Sequence, residues 1–152
     1  MVIRPASPDE MHLVRQLFLE YADSLGFSLC FQGFQQELDE LPGRYGPPDG
    51  ALLLAWFNDE PIGVVGLRRQ DTTSAEMKRL YIRPDHRGKR IGRLLAIAII
   101  AEAKRLGYSS IKLDTVQAMK EARQLYDELG FVTIPAYYDN TACDSTCMEL
   151  KW

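Results

Sequence analysis

The fold is decided by Ala75-Glu-Met-Lys-Arg-Leu-Tyr-Ile82, followed by Arg-Pro-Asp-His86 and then Arg87-Gly-Lys-Arg-Ile-Gly92. The first segment predicts a strand, and the last one opens an apolar helix. A helix start presents unpaired backbone N–H groups and a positive dipole end, and glycines let the backbone approach an anion closely. Five basic residues lie between Arg83 and Arg93, although the chain has a net charge of −3. The stretch therefore predicts a phosphate-binding loop, although an ordinary loop with solvated basic residues would also fit.

A second segment, Ala122-Arg-Gln-Leu-Tyr-Asp-Glu-Leu-Gly-Phe131, follows downstream. Together the two segments resemble the GNAT superfamily of N-acetyltransferases, whose pyrophosphate loop reads Arg/Gln-x-x-Gly-x-Gly/Ala. Arg87, Arg90 and Gly92 occupy its three fixed positions, so an arginine replaces the first motif glycine. The resemblance covers residues 51–134 well and the first 50 residues poorly.

The resemblance implies that acetyl-CoA is the co-substrate. Its pyrophosphate would bind backbone N–H groups of the loop, and its pantetheine arm would pair with the strand before the loop, as an added strand does. We expect a helix-like backbone at Arg90, with the side chain pointing outward; a position that requires a positive φ would instead strain the arginine. The implied cofactor-binding residues are Leu80, Tyr81, Ile82, Arg87, Gly88, Lys89, Arg90, Ile91, Gly92 and Arg93.

Glu76 resembles in placement the general base that is common in this family. An alkyl amine has a pKa of about 10.4 and therefore arrives protonated. A carboxylate can remove that proton through a water molecule. The alternative for Glu76 is a structural salt bridge with Lys78 or Arg79, which are both close in sequence.

Tyr126 matches the family's tyrosine, whose hydroxyl lies near the sulfur of CoA and is proposed as the general acid. A thiolate with a parent pKa of roughly 8.5 leaves more easily when it is protonated. The alternative is a core tyrosine on an amphipathic helix with Ala122, Leu125 and Leu129.

Length and composition favour one soluble domain over residues 1–152. No apolar run reaches the roughly 18 residues that a membrane span needs, and no signal peptide is evident, so we expect a cytoplasmic protein. A pI near 5.4 argues against a nucleic-acid partner. The histidines and cysteines show no metal-ligand spacing, so no metal is expected. The three cysteines favour reduced thiols, although Cys143 and Cys147 could pair.

The order of elements predicts an α+β fold: a mixed, mostly antiparallel sheet with helices on both faces and, by resemblance, a splayed central strand pair. We expect helices over 8–23, 26–41, 92–106 and 121–129, and strands over 2–4, 51–57, 61–68, 75–82, 110–115, 131–134 and 146–150.

The strand over 75–82 carries an irregular pattern. Met77, Leu80 and Ile82 cannot share one face under strict two-residue alternation. One extra residue around Lys78–Arg79 would align them as a β-bulge. The alternative is that Met77 faces the opposite side, which a sheet covered on both faces allows.

By resemblance, the function is direct acetyl transfer from acetyl-CoA to a primary amine. Tyr137 and Tyr138 favour a covered pocket, and hence a small-molecule acceptor. The alternatives are a protein or peptide N-acetyltransferase and a non-catalytic CoA-binding sensor. A homodimer is compatible with the sequence.

Overall fold

The computed structural model describes residues 1–25, 34–116, 120–137 and 145–152. Within these ranges seven strands form one sheet in the order β1-β2-β3-β4-β5-β7-β6. The strands are β1 Val2–Pro5, β2 Ala51–Phe57, β3 Glu60–Arg69, β4 Ser74–Ile82, β5 Ser110–Val116, β6 Val132–Ile134 and β7 Ser145–Lys151. The α-helices are α1 Met11–Leu25, α2 Phe34–Asp39, α3 Ile91–Arg105 and α4 Lys120–Leu129.

Two hydrophobic cores cover the two faces of the sheet. Helices α3 and α4 pack on one face, where Leu95, Ile99 and Tyr126 join the buried side chains of β2 to β5. On the other face, α1 and α2 contribute Phe18 and Leu38 to a second buried cluster. All strand pairs are antiparallel except β4 with β5. The predicted α+β sandwich with helices on both faces of a mixed sheet is confirmed.

The central strands β4 and β5 separate along their length. Their parallel pairing covers Ser74 to Glu76 of β4 and ends at the pair Glu76–Lys112. Yet β4 continues to Ile82 and β5 to Val116. Beyond Glu76 the two strands therefore leave a gap in the sheet, which is the predicted splay.

The predicted bulge lies in β4. Val64 pairs with Tyr81 and Gly66 pairs with Lys78, so β4 has one more residue than β3 between these pairs. Arg79, inside the bulge, has a φ of 61°. Met77, Leu80 and Ile82 all contact the core on the α3 side, as the bulge hypothesis requires. The alternative, with Met77 on the opposite face, is wrong.

The predicted element boundaries differ from the structure mainly near the N-terminus. The helix predicted over 8–23 is a 3₁₀ turn at Pro8–Glu10 followed by α1, and only 34–39 of the helix predicted over 26–41 is described as helical. Residues 26–33 of that prediction lie outside the described ranges, as do Tyr138 and Cys143. Cys147 is a buried free thiol.

Candidate active site

The gap between β4 and β5 opens into a cleft of about 960 Å³. Its walls come from the end of β4, the loop after it, the first turn of α3, one side of α4 and Tyr21 and Ser24 on α1. We call the region where β4 and β5 converge the inner end and residues 87–93 the outer end. The wall of the cleft on β4 starts at Leu80, so the predicted catalytic residues Glu76 and Tyr126 are not among its lining residues. Each of the ten predicted cofactor-binding residues except Lys89 lines this cleft. These are Leu80, Tyr81, Ile82, Arg87, Gly88, Arg90, Ile91, Gly92 and Arg93.

The backbone of the outer end turns sharply before α3. Gly88 has a φ of 81° and Arg90 a φ of 61°. Residues in this left-handed region help to form anion-binding concavities from successive N–H groups. A Cβ added at Gly88 would meet no atom within 4 Å, so the space beside this residue is open. The expectation of a helix-like backbone at Arg90 is wrong, because this residue precedes the first turn of α3 in a left-handed conformation.

The basic side chains of the outer end have different partners. Arg87 donates from Nε to the carbonyl oxygen of Ile82 at 3.0 Å. Arg93 forms a 3.1 Å ion pair with Glu128 on α4, across the cleft. Lys89 lies over the ring of Phe57, 5.6 Å from its centroid. Within the described ranges Arg90 has no carboxylate partner, so its charge remains available to an anion.

The strand edge of the cleft fits an extended ligand. Leu80 and Tyr81 lie in the part of β4 that has no pairing with β5. Arg87 already binds the carbonyl oxygen of Ile82. Hence the edge available for an added strand consists mainly of Leu80 and Tyr81. The open edge, the strained basic loop and the helix start together suit a long ligand with phosphates at one end.

Glu76 lies at the inner end, at the last paired position of β4. It is 2% exposed. Its Oε1 accepts a 2.7 Å hydrogen bond from Nε of Arg68, and its Oε2 lies 3.8 Å from Nζ of Lys78. Oε2 also accepts a hydrogen bond from the hydroxyl of Tyr137. The proposed salt bridge with Lys78 is therefore present, whereas Arg79 instead forms a bidentate ion pair with Glu37.

Tyr126 is buried on α4, with its ring 5.6 Å from that of Phe131. Burial raises its pKa well above the ordinary value, and the neighbouring Tyr21 and Asp114 add to this shift. The phenol therefore stays protonated at neutral pH and can donate a hydrogen bond. Its packing among core residues also agrees with the structural alternative.

Three further residues complete the inner end; the sequence identified Tyr137 only as part of a covered pocket, and it identified neither Arg68 nor Asp114. Arg68 comes from β3, Asp114 from β5 and Tyr137 from the chain after β6. The pKa of Tyr137 is raised by burial and by the adjacent Glu76 carboxylate. Arg68 could have been found from the register of the β3–β4 hairpin, which places it opposite Glu76. Asp114 could have been found by extending the β4–β5 register to the position opposite Lys78. Tyr137 reaches Glu76 from a distant part of the chain, and the local sequence carries no signal for that contact.

No group of three or more potential metal ligands occurs among the described residues. None of the helices in the described ranges combines the length and apolar character that crossing a bilayer requires.

Comparisons with known proteins agree with this geometry. An uncharacterized N-acetyltransferase of Schizosaccharomyces pombe is 37% identical over 148 residues, which cover 95% of this chain and 90% of the relative. The crystal structure of an acetyltransferase from Streptococcus agalactiae is similar with a TM-score of 0.81 and 21% identity, over 99% of this chain and 98% of the other.

A structure of the PaiA N-acetyltransferase from Thermoplasma acidophilum in complex with coenzyme A is similar with a TM-score of 0.76 and 20% identity, and covers 99% of this chain and 98% of the other. Residues 13–131 match the model of the acetyltransferase (GNAT) family. The chain therefore belongs to the GNAT family of acetyltransferases.

Proposed function

We propose that the protein transfers an acetyl group from acetyl-CoA directly to the primary amine of a small molecule. The observation that carries this proposal is the cleft of about 960 Å³, which runs from the open edge of β4 to the start of α3. Relatives that are named N-acetyltransferases and a neighbour that binds coenzyme A support the choice of acetyl-CoA. We also propose that the protein is located in the cytoplasm, which cell fractionation would test.

The outer end would bind the pyrophosphate. Backbone N–H groups from Gly88 to Arg93 would donate hydrogen bonds to this anion at the start of α3, and Arg90 would add a charge that has no competing carboxylate among the described residues. The backbone of Leu80 and Tyr81 would hold the pantetheine arm by β-type hydrogen bonds. In this arrangement the thioester, which supplies the activated acetyl group, would lie near the inner end.

Glu76 would receive the proton of the acceptor ammonium. Arg68 occupies its Oε1 and the Tyr137 hydroxyl occupies its Oε2. Each oxygen keeps a second lone pair, so the acceptor proton would reach Oε2 beside the Tyr137 hydroxyl, directly or through a water molecule. In this scheme Tyr137 holds the carboxylate in place as a positioning residue, and Glu76 is the base.

Tyr126 would protonate the departing thiolate. Its raised pKa keeps the proton on the phenol until negative charge develops on the sulfur. A buried hydroxyl interacts more strongly with that developing charge than it would in water. Tyr126 and Glu76 are then the two catalytic residues, and the chemistry needs no acyl-enzyme.

A small acceptor fits the covered position of Glu76. Tyr137 lies against Glu76, and the ring of Tyr137 is 5.4 Å from Nζ of Lys112. A protein acceptor would need an open groove leading to the same carboxylate. We therefore expect amino acids, other small amines or their derivatives to be acetylated more readily than peptides.

The test is release of free thiol from acetyl-CoA in the presence of amino acids, polyamines, aminoglycosides and short peptides. Turnover with a small amine, together with the mass of its N-acetyl product, would support the proposal. Turnover with peptides alone would make the protein-acceptor alternative correct. Tight binding of acetyl-CoA without turnover on any amine would favour the sensor.

A further inference from the structure

We propose that the ion pair between Lys78 and Asp114 closes the inner end of the cleft and restricts the transferred acyl group to acetyl. This inference rests on the proposed function, because it assumes that acyl-CoA lies in the cleft. It adds a determinant of acyl-chain length to the proposed site.

The ion pair stands where the two central strands begin to separate. The β4–β5 ladder ends at the pair Glu76–Lys112. The next residues on the same face are Lys78 and Asp114, two positions further along each strand. Nζ of Lys78 lies 3.1 Å from Oδ1 of Asp114, so a side-chain contact continues where the backbone pairing has stopped.

The cleft ends at the same place. Its wall on β4 starts at Leu80, and among the described residues neither Lys78 nor Asp114 lines it. The side chain of the intervening Arg79 pairs with Glu37 on α2. The bulge follows directly after Lys78, so the ion pair lies between the last backbone pair of β4 with β5 and the irregular part of β4.

The direction of the bound molecule follows from the outer end. With the pyrophosphate at the loop of residues 87–93, the pantetheine arm runs back along β4 from Ile82 toward Leu80. Its acyl end then points at the ion pair. The charge of Asp114 also contributes to the raised pKa of Tyr126, so the ion pair interacts electrostatically with the proposed general acid.

A longer acyl chain would have to contact this pair. The side chains of Lys78 and Asp114 are only 13% and 22% exposed. An apolar chain pushed against them would remove the remaining water from both charges, which is costly, or would separate them. For each added methylene we expect discrimination of roughly 10-fold or more, the low end of what size selection in a closed pocket achieves.

A second lysine–aspartate pair on the same sheet provides a matched control. Nζ of Lys112 lies 3.3 Å from Oδ2 of Asp71. Lys112 is 17% exposed, close to the value for Lys78, but it belongs to the paired part of β5 and its partner precedes β4. Removing the charge of Lys112 therefore tests loss of an ion pair without opening the cleft.

The experiment compares the affinities of acetyl-CoA, propionyl-CoA and butyryl-CoA by calorimetry, with thermal melting to confirm folding. The variants are wild type, Lys78→Met/Asp114→Leu, Asp114→Asn and Lys112→Met. An apolar pair of similar volume often replaces a buried ion pair without loss of stability. We expect wild type and Lys112→Met to prefer acetyl-CoA to butyryl-CoA, and the double variant to lose most of that preference.

Equal wild-type affinity for the three thioesters would overturn the inference, and so would an unchanged preference in the folded double variant. If the double variant does not fold, Asp114→Asn decides, because it keeps the side-chain size and should still shift the preference toward propionyl-CoA. An unchanged preference in that variant would overturn the inference too. Failure of wild type to bind any acyl-CoA would instead contradict the proposed function.

Discussion

Two arginines with the same backbone conformation stand at opposite ends of the cleft. Arg79 and Arg90 each have a φ of 61°, in the region that favours glycine. Arg79, at the inner end, is largely buried and forms a bidentate ion pair with Glu37. Arg90, at the outer end, is exposed and has no carboxylate partner among the described residues.

This difference suggests different roles for the two ends of the cleft. At the inner end the side chains are fixed by partners, as the catalytic groups must be if they are to act on a thioester in one geometry. At the outer end two left-handed residues turn the backbone sharply, and the charge of Arg90 remains available, as an anion site requires. Changes at the inner end should therefore affect turnover or stability, whereas changes at the outer end should affect binding.

The largest expected effect is at the inner end, in Tyr126→Phe. We expect kcat to fall by roughly 10²–10⁴-fold, the usual contribution of a general acid, with the KM for acetyl-CoA nearly unchanged. Phenylalanine preserves the ring contact with Phe131, so stability should change little. Steady-state kinetics would check this, and a variant with wild-type kcat would remove Tyr126 from the mechanism.

Glu76→Gln tests the proposed base through kcat. Glutamine has the size of glutamate but cannot accept the proton of the acceptor ammonium, so kcat should fall by roughly 10²-fold or more. Steady-state kinetics would measure the change, and a variant with wild-type kcat would assign the role of the base to another group. Glutamine also leaves Arg68 without its carboxylate, so melting must be measured alongside.

Gly88→Glu should weaken acetyl-CoA binding by roughly 100-fold, because a carboxylate would face the phosphates and the backbone would be strained. Gly107→Glu is the matched control. Gly107 also has a positive φ, of 96°, and also has open space around an added Cβ, but it lies beyond the far end of α3. Calorimetry should show the loss in the first variant alone. Similar affinities in the two variants would contradict the assigned phosphate site.

Arg79→Gly should lower the free energy of unfolding by about 2 kcal/mol, somewhat below the cost of breaking a fully buried ion pair. Glycine adopts the left-handed backbone without strain, but the variant loses the ion pair with Glu37. Urea unfolding would measure the change. A stabilised variant would show that backbone strain outweighs the ion pair.

Arg90→Gly should have the smallest effect. Glycine adopts the left-handed backbone without strain, but it also loses more conformational entropy on folding than arginine does. The two effects offset each other, so the free energy of unfolding should stay within about 1 kcal/mol of wild type. Loss of one exposed charge should weaken acetyl-CoA binding a few-fold and make it less dependent on salt. An unchanged affinity and salt slope would show that the Arg90 side chain does not contact a phosphate.

The sequence allowed prediction of the elements whose evidence is local. The misaligned apolar residues Met77, Leu80 and Ile82 located the bulge, and the basic turn located the start of α3. The left-handed backbone of Arg90 was missed, because arginine rarely adopts it and the surrounding turn imposes it. The ion pair of Glu76 with Arg68 was also missed, because it depends on the register of the β3–β4 hairpin, which places the two residues opposite each other.

The ion pair between Arg93 and Glu128 means that ligand binding at the outer end would be an exchange of anions. The guanidinium of Arg93, one of the predicted cofactor-binding residues, already holds a carboxylate from the opposite wall of the cleft. A phosphate that binds Arg93 would therefore replace another anion. Salt weakens the interaction of Arg93 with the incoming phosphate and its interaction with the displaced Glu128 carboxylate alike. The affinity for acetyl-CoA should accordingly vary less with ionic strength than the number of basic residues in the loop would suggest.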